Sequence, residues 1–149
     1  MKRRDVLGLA LAGGIGSSLS GPERSNPMSI RPINPSGNAF ADACEVSSFT
    51  RLLFVSGQVP AHPDGSVPPD YPSQYRLAWA NVERQLNAAG MTYDNLVKVT
   101  IFLSDRALIA QSAGLRQEIL RAHDPAVTIV LTGIYDEAWL LEIEAVAAA

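Results

Sequence analysis

The chain has 149 residues, a formal net charge of −3 and 47% hydrophobic residues, which fits one domain with an apolar core. No cluster of basic residues follows residue 4, and nucleic-acid-binding proteins usually carry a basic patch, so we expect no nucleic-acid partner. The single cysteine, Cys44, excludes an internal disulfide, and with only two histidines a Cys/His zinc site has too few ligands. No apolar run reaches the roughly 18 to 20 residues of a membrane span.

The first twenty residues have the pattern of an export signal. A basic start with Arg3 and Arg4 precedes a mildly apolar, glycine-rich run over 8–19 and the small residues Ser18 and Ser20, which suit cleavage. Paired arginines followed shortly by Val-Leu are typical of a twin-arginine signal. This pattern predicts a periplasmic or secreted protein. Two alternatives stay open: translation from Met28, which would leave the protein in the cytoplasm, and an ordinary N-terminal tail.

The next segments are read from their proline and β-branched content. Residues 21–38, rich in Pro, Ser, Gly and Asn, are typical of a linker or extended arm, so we place the domain at 39–149. A short strand is a candidate at 45–48, and the apolar run 52–56 predicts a clear one. The five prolines within 60–72 predict a loop, because proline lacks the N–H that helices and sheets need.

Two helices and three strands follow. An apolar stripe predicts a helix over 71–89, with Ser73 as a candidate N-cap and Gly90 at its end. A second helix is predicted over 107–122, because the residue before Pro125 avoids helical backbone. Alternating or continuous apolar runs predict strands, and the segment 133–138 predicts the last turn, which gives the order β(β)αβαββ. The three predicted strands cover 96–103, 126–132 and 140–147.

This order carries a set of motifs at consistent spacings. The motifs are Ser56-Gly57-Gln58-Val59-Pro60, Asn81-Val82 with Ala88-Ala89-Gly90, Val97 to Leu103 followed by Asp105, Pro125-Ala126, and Leu141 to Ala147. Together they resemble the RidA/YjgF family of enamine and imine deaminases over nearly all of the chain after the linker. The resemblance implies a small-molecule substrate or ligand and no cofactor.

The resemblance also implies a fold and an assembly. The fold is α+β and chorismate-mutase-like, with two helices on one face of a mostly antiparallel sheet. The assembly is a homotrimer with a central barrel and clefts between neighbouring subunits. The sequence favours such an assembly independently. The strand over 126–132 is apolar on both faces, and helices on one side of a sheet leave the other face to be covered by another subunit.

Part of the family's site is present. A glutamate on the last strand, which positions or activates the attacking water, matches Glu142, the candidate catalytic base. The Ser-Gly pair that brings backbone groups close to the ligand matches Ser56 and Gly57. Glu144 lies two residues on, on the same face of the strand, and is read as a solvated or interface carboxylate.

The other substrate-binding positions depart from the family. Val127 stands where an arginine should grip the substrate carboxylate, and Ile129 takes the next pocket-facing position. Phe40 replaces a tyrosine, and Ala113 replaces an asparagine on the second helix. A bidentate arginine contact stabilises a bound carboxylate, because each charge-assisted hydrogen bond contributes roughly 1.5 to 3 kcal/mol. A small 2-iminocarboxylate should therefore bind poorly.

Two hypotheses follow from this partial match. The first is a divergent hydrolase of an enamine, imine or related reactive molecule, with Glu142 as base and water as nucleophile. The second is a non-catalytic trimer that binds an apolar small ligand or a partner protein.

Four further residues are candidates for the cleft or its surroundings. Arg116 shares a helix face with Ala113 and is a candidate replacement cation. Tyr135 and Trp139 either line the cleft or cover the core edge. His123 is expected at a helix end.

Overall fold

The computed structural model describes residues 26–149, so the predicted export signal lies outside the described residues. This part of the chain forms six strands and two main helices. The strands are β1 Ser29–Pro35, β2 Ala41–Ser47, β3 Leu52–Gln58, β4 Leu96–Leu103, β5 Ala126–Leu131 and β6 Leu141–Ala148, and the helices are α1 Tyr71–Ala88 and α2 Ile109–Leu120. None of the described helices is long and apolar enough to cross a bilayer.

The strands form one mixed sheet in the order β1-β2-β5-β4-β6-β3. Two neighbouring pairs, β2–β5 and β5–β4, are parallel, and the other three are antiparallel. The parallel β4–β5 pair is connected through α2, as a parallel pair requires a crossover. The predicted α+β fold with two helices is confirmed.

Residues 29–35 differ from the sequence expectation of a linker. They form β1, an edge strand that pairs with β2 from Ser29 opposite Ser47 to Pro35 opposite Ala41. The prolines within β1 are tolerated because an edge strand has one side without hydrogen-bonding partners. The β2 strand likewise begins at Ala41, four residues earlier than the short strand predicted over 45–48.

One face of the sheet and the helices enclose the core. Alternate residues of β4 and β6 point toward α1, which buries its own aromatic and aliphatic stripe against them. The largest fully buried side chains include Tyr75, Trp79, Leu86, Ile101 and Ile143. Asp70, rather than Ser73, caps α1: its Oδ1 accepts the backbone N–H of Ser73 at 3.0 Å. Gly90, with φ +70°, follows the helix end as predicted.

The opposite face of the sheet is exposed. Because Leu141, Ile143 and Ala145 point into the core, Glu142 and Glu144 point the other way. Phe54 lies on β3 opposite Val146 and is 73% exposed. This open face therefore combines acidic groups with large apolar side chains, which isolated folded chains seldom leave in water.

Candidate functional site

Glu142 lies directly over the backbone of Gly57. The register of β3 against β6 shifts between Val55 and Gln58, so Ser56 and Gly57 together stand opposite the single residue Glu144. This bulge brings position 57 toward β6: a Cβ built on Gly57 would lie 1.6 Å from Glu142 Oε1 and 2.6 Å from Cδ. Any side chain at this position would force the carboxylate to move, and glycine leaves it in place.

The Glu142 carboxylate is half-buried and has free acceptor capacity. Within residues 26–149, neither a salt bridge nor a hydrogen bond occupies its oxygens. An ionised carboxylate can accept up to about four hydrogen bonds, so this one is available to a water or ligand. The structure thus brings Glu142 against Gly57, and Ser56 is the neighbour of Gly57 in the bulge.

The other four predicted contact residues lie elsewhere in the chain. Val127 and Ile129 pair in register with the core residues Val99 and Ile101, and both pack against the core on the helix side of the sheet. Phe40 precedes β2 beside them, because Ala41 donates its N–H to Pro125 O at 3.0 Å. The fourth, Ala113, is half-buried on α2.

Within a single chain, the residues around Glu142 and those around Val127 lie apart. Glu142 points to the open face, whereas Val127 points to the helix side, and β4 separates their strands. Two strand spacings correspond to roughly 10 Å, in addition to the thickness of the sheet between them. A site that uses both groups needs two copies of the chain.

Arg116 anchors the turn before β2. Its side chain is buried, with 4% exposure of the residue, and donates from Nε to Ala39 O at 3.1 Å and from Nη2 to Asn38 O at 3.0 Å. The guanidinium carbon lies 5.5 Å from the centre of the Phe40 ring. Arg116 therefore fixes the backbone on which Phe40 stands, and two of its donor groups are used in doing so.

Sequence reasoning missed the buried amide of Gln74. Its Nε2 donates to Pro68 O at 2.9 Å and to Ala138 O at 3.0 Å, while its Oε1 accepts Leu140 N–H at 2.9 Å. It thereby ties the proline-rich loop and the β5–β6 loop to α1. The available signal was a polar residue at helical spacing from Asn81, which binds the same proline-rich loop through Val59 O.

The β5–β6 loop exposes two aromatic rings. Tyr135 is 94% exposed, so it does not cover the core, and its ring centre lies 6.2 Å from that of Trp139 at an interplanar angle of 35°. Trp139 is half-buried and stands three residues before Glu142. For Tyr135 the core-edge alternative is wrong.

Lys98 and Glu144 lie on the open face, beside a cavity of about 290 Å³ that Ser56 also lines. Lys98 Nζ donates to Thr128 Oγ1. Desolvation lowers the pKa of Lys98 from its usual value, and the charge of Glu144 opposes that shift. Lys98 is thus held near the Glu142 side of the sheet but is already engaged with a neighbour.

His123 and Cys44 have structural surroundings. His123 lies just beyond α2, where its Nε2 is 2.7 Å from Leu96 O. Burial raises the pKa of the Cys44 thiol, which donates to Asp124 O at 3.4 Å. Within the described part of the chain, no group of three or more His, Cys, Asp or Glu side chains is arranged to hold a metal ion.

A mixed six-stranded sheet with two helices and a glutamate over a glycine bulge defines a class of small α+β proteins, and comparisons with known proteins identify the class. The model of the family described as endoribonuclease L-PSP matches residues 35–149. The RutC family protein PH0854 of Pyrococcus horikoshii is 30% identical over 119 residues, which are 78% of this chain and 89% of that protein. The chain therefore belongs to the RidA/YjgF family, as the motifs predicted.

Two relatives from Escherichia coli match over shorter lengths. TdcF, named as a candidate reactive intermediate deaminase, is 31% identical over 100 residues, or 64% of this chain and 78% of TdcF. The RutC family protein YjgH is 50% identical, but over 54 residues only, so the chain matches 41% of its length.

Solved structures share the fold. The Rid family protein YyfB from Yersinia pestis has a TM-score of 0.73 at 25% identity, covering 80% of this chain and 98% of YyfB. E. coli TdcF with bound serine has a TM-score of 0.63 at 26% identity, covering 80% of this chain and 99% of TdcF.

Proposed function

We propose that the protein hydrolyses an enamine or imine to a carbonyl compound and ammonia, with Glu142 as the general base. The observation that carries the proposal is the free, half-buried carboxylate of Glu142, held over Gly57 by the β3 bulge. The name of TdcF, a candidate reactive intermediate deaminase, supports the same class of reaction. The bulk acidity of the chain, with net charge −3, argues against the ribonuclease activity that the family description mentions.

The reaction needs one base and one water. Glu142 accepts a proton as the water oxygen attacks the imine carbon, and the C=N electrons move to nitrogen, which takes up a proton. The C–N bond of the resulting amino alcohol then breaks: protonated Glu142 gives its proton to the departing nitrogen, which leaves as ammonia, and the hydroxyl proton passes to solvent as the C=O bond forms. The overall change is imine plus water to carbonyl plus ammonia, and the base is restored. An enamine enters the same sequence after protonation at carbon.

We further propose that the working site lies between subunits of a homotrimer. Glu142 and Gly57 of one copy would face Phe40, Ala113, Val127 and Ile129 of the next, since one chain cannot bring them together. The exposed apolar side chains of the open face, Phe54 above all, support a covered face in the assembly.

The substrate should lack a carboxylate. In the proposed trimer, the side of the cleft opposite Glu142 would be apolar, because Val127 stands at the arginine position. Arg116 does not replace that arginine, since it donates hydrogen bonds to Asn38 O and Ala39 O. TdcF has been crystallised with serine, which carries a carboxylate. We expect this chain to differ in that preference.

A matched pair of variants tests the proposal. Imines without a carboxylate are generated by an amine oxidase, imines with one by an amino-acid oxidase, and ammonia release is followed. Glu142→Gln should slow release on the preferred imine by roughly 10²- to 10⁴-fold, the usual contribution of a general base. Glu144→Gln, on the same face of the same strand, should change it little. Equal rates for wild type, Glu142→Gln and buffer would refute the proposal.

A second function is favoured by the apolar residues at the positions where the family has polar contacts. With Val127, Ile129, Phe40 and Ala113 in place of polar contacts, the trimer would bind an apolar ligand or a partner protein without turnover. Ligand-induced stabilisation that is unchanged in Glu142→Gln, together with no ammonia release by wild type, would favour this alternative.

A further inference from the structure

The β5–β6 loop presents an aromatic surface at the start of the strand that carries Glu142. Tyr135 has the most exposed large apolar side chain in the described part of the chain, and its ring lies against Trp139. A large aromatic ring that stays exposed and does not pack on the core contributes nothing to the stability of an isolated chain. Its placement therefore requires a different explanation.

Hydrogen bonds hold the second half of the loop, around Trp139. Asp136 Oδ1 accepts the N–H of Ala138 at 2.8 Å, and its carbonyl accepts the N–H of Trp139 at 3.0 Å. The amide of Gln74 then bonds both Ala138 O and Leu140 N–H. With both flanks of Trp139 held by these hydrogen bonds, the backbone that carries its ring is fixed before any ligand arrives, which lowers the entropic cost of binding.

Trp139 lies close along the chain to the proposed base. Trp139 precedes Glu142 by three positions, and three steps of extended chain span at most about 10 Å between Cα atoms. A substrate whose imine carbon lies at Glu142 and whose side group extends by the length of a phenyl ring would reach the loop.

The charges around the loop select against an anion. Asp136 and Glu137 belong to the loop, and Glu142 and Glu144 follow on β6. Lys98, the single lysine within residues 26–149, lies on the open face, is engaged with Thr128 and faces Glu144. Acidic groups next to aromatic faces repel a carboxylate and suit an uncharged imine or its protonated iminium form.

We propose that Tyr135 and Trp139 are the specificity-determining residues of the site and select imines of aromatic carbonyl compounds that carry no carboxylate. This inference rests on the proposed function and names its substrate class. The aromatic group of the substrate packs on the ring pair, while the imine carbon meets the water at Glu142.

Binding of stable product analogues tests the inference without turnover. The probes are 1-phenylpropan-2-one, its saturated counterpart 1-cyclohexylpropan-2-one, and phenylpyruvate, which adds a carboxylate. The readout is the NMR signal of the indole N–H groups. The chain has two tryptophans, of which Trp79 is fully buried, and the variant Trp139→Phe assigns the two resonances. The phenyl ketone should shift the Trp139 resonance, and phenylpyruvate should bind at least about tenfold more weakly.

Variants give the decisive comparison. Tyr135→Ala should weaken binding of the phenyl ketone roughly three- to tenfold, which is the contribution of an aromatic pair. The ratio of its affinity to that of the cyclohexyl ketone should fall as well. The control is Phe49→Ala, which removes an exposed aromatic ring far from Glu142 in sequence. It should change neither the affinity for the phenyl ketone nor the ratio of the two affinities. An unmoved Trp139 resonance, or equal affinities in Tyr135→Ala, would overturn the inference.

Two further outcomes separate this inference from the proposed function. Ketone binding at Trp139 without imine hydrolysis by wild type would refute the reaction but keep the aromatic site. Hydrolysis with an aromatic-to-aliphatic ratio unchanged in Tyr135→Ala would keep the reaction and refute the aromatic site. Loss of the assembly in Tyr135→Ala by native mass spectrometry would assign the loop to a subunit contact and also overturn it.

Discussion

The carboxylate of Glu142 occupies the space that any side chain at position 57 would need, with Oε1 1.6 Å from an ideal Cβ on Gly57. A glycine on one strand thus sets the position of a carboxylate on its neighbour. The bulge that creates this contact is at the same time the place where the β3–β6 register shifts. The two residues form one unit: the glycine has no other visible requirement, since its φ is not in the left-handed region.

Gly57→Ala should therefore displace Glu142. Because misplacing a reacting group by about 1 Å can reduce a rate roughly 10²-fold, we expect a loss of that order in kcat/KM for imine hydrolysis. The matched control is Gly114→Ala, in α2, where an added Cβ meets no atom within 4 Å. That variant should keep full activity and gain up to about 1 kcal/mol of stability, because alanine favours a helix. Full activity in Gly57→Ala would show that the contact is not used.

Arg116→Met should destabilise the chain by roughly 2 to 4 kcal/mol, measured by urea unfolding. It removes two charge-assisted hydrogen bonds, and it leaves the buried carbonyl of Ala39 without its donor. Arg76→Met is the control: its salt bridge with Glu118 is exposed, so the cost should stay below about 1 kcal/mol. Equal costs for the two variants would mean that the turn before β2 holds without Arg116.

Asp70 should give the stability a pH dependence at low pH. The N–H and then the hydroxyl of Ser73 lower the pKa of Asp70 below its usual value, so the folded state favours the charged form. The stabilisation is fully present above about pH 4, the ordinary aspartate range, and is lost as the pH falls through the lowered pKa. Thermal unfolding of Asp70→Ser, which keeps a capping side chain without charge, should show a flatter profile below pH 4. An unchanged profile would contradict this role.

The fold was predictable from residue patterns where burial alternates along a strand. Leu96 to Leu103 was predicted with both ends correct, because every second side chain meets the core. The edge strand β1 was missed because its prolines are typical of a linker, and only its pairing with β2 makes it a strand. The sequence indicates Ser73 as the cap because serine is a capping residue type, whereas the extended backbone at Asp70 makes Asp70 the N-cap.

The site was predictable in its parts but not in its arrangement. The motifs indicated Ser56, Gly57 and Glu142, but the contact between Gly57 and Glu142 depends on a register shift that no local pattern shows. The role of Arg116 was not predictable either, since its acceptors are backbone carbonyls on a turn far away in sequence. Strand order also decides that β4 separates the strands of Val127 and Glu142, and order is a property of the whole sheet.

If the predicted export signal is used, the mature protein should begin at a residue after Met1. Cleavage after Ser20 would leave Gly21 as the first residue, and intact mass of protein recovered from the periplasm measures this directly. Arg3→Lys with Arg4→Lys should block twin-arginine export and keep the full-length chain in the cytoplasm. A chain that begins at Met28 in wild-type cells would instead support internal initiation.

Val127→Arg should change substrate preference toward carboxylates. The side chain at this position faces the helix side at the proposed subunit boundary, where an arginine would offer a bidentate contact to a 2-iminocarboxylate. We expect the ratio of kcat/KM for carboxylated over uncharged imines to rise at least about tenfold, at a stability cost of roughly 1 to 3 kcal/mol for the larger side chain. Val127→Met adds similar bulk without charge and should lower the stability without changing the ratio. A ratio that moves equally in both variants would mean that bulk, not charge, acts at this position. A ratio that moves in neither would place Val127 outside the site, and the cleft between Glu142 of one copy and Val127 of the next would have to be abandoned.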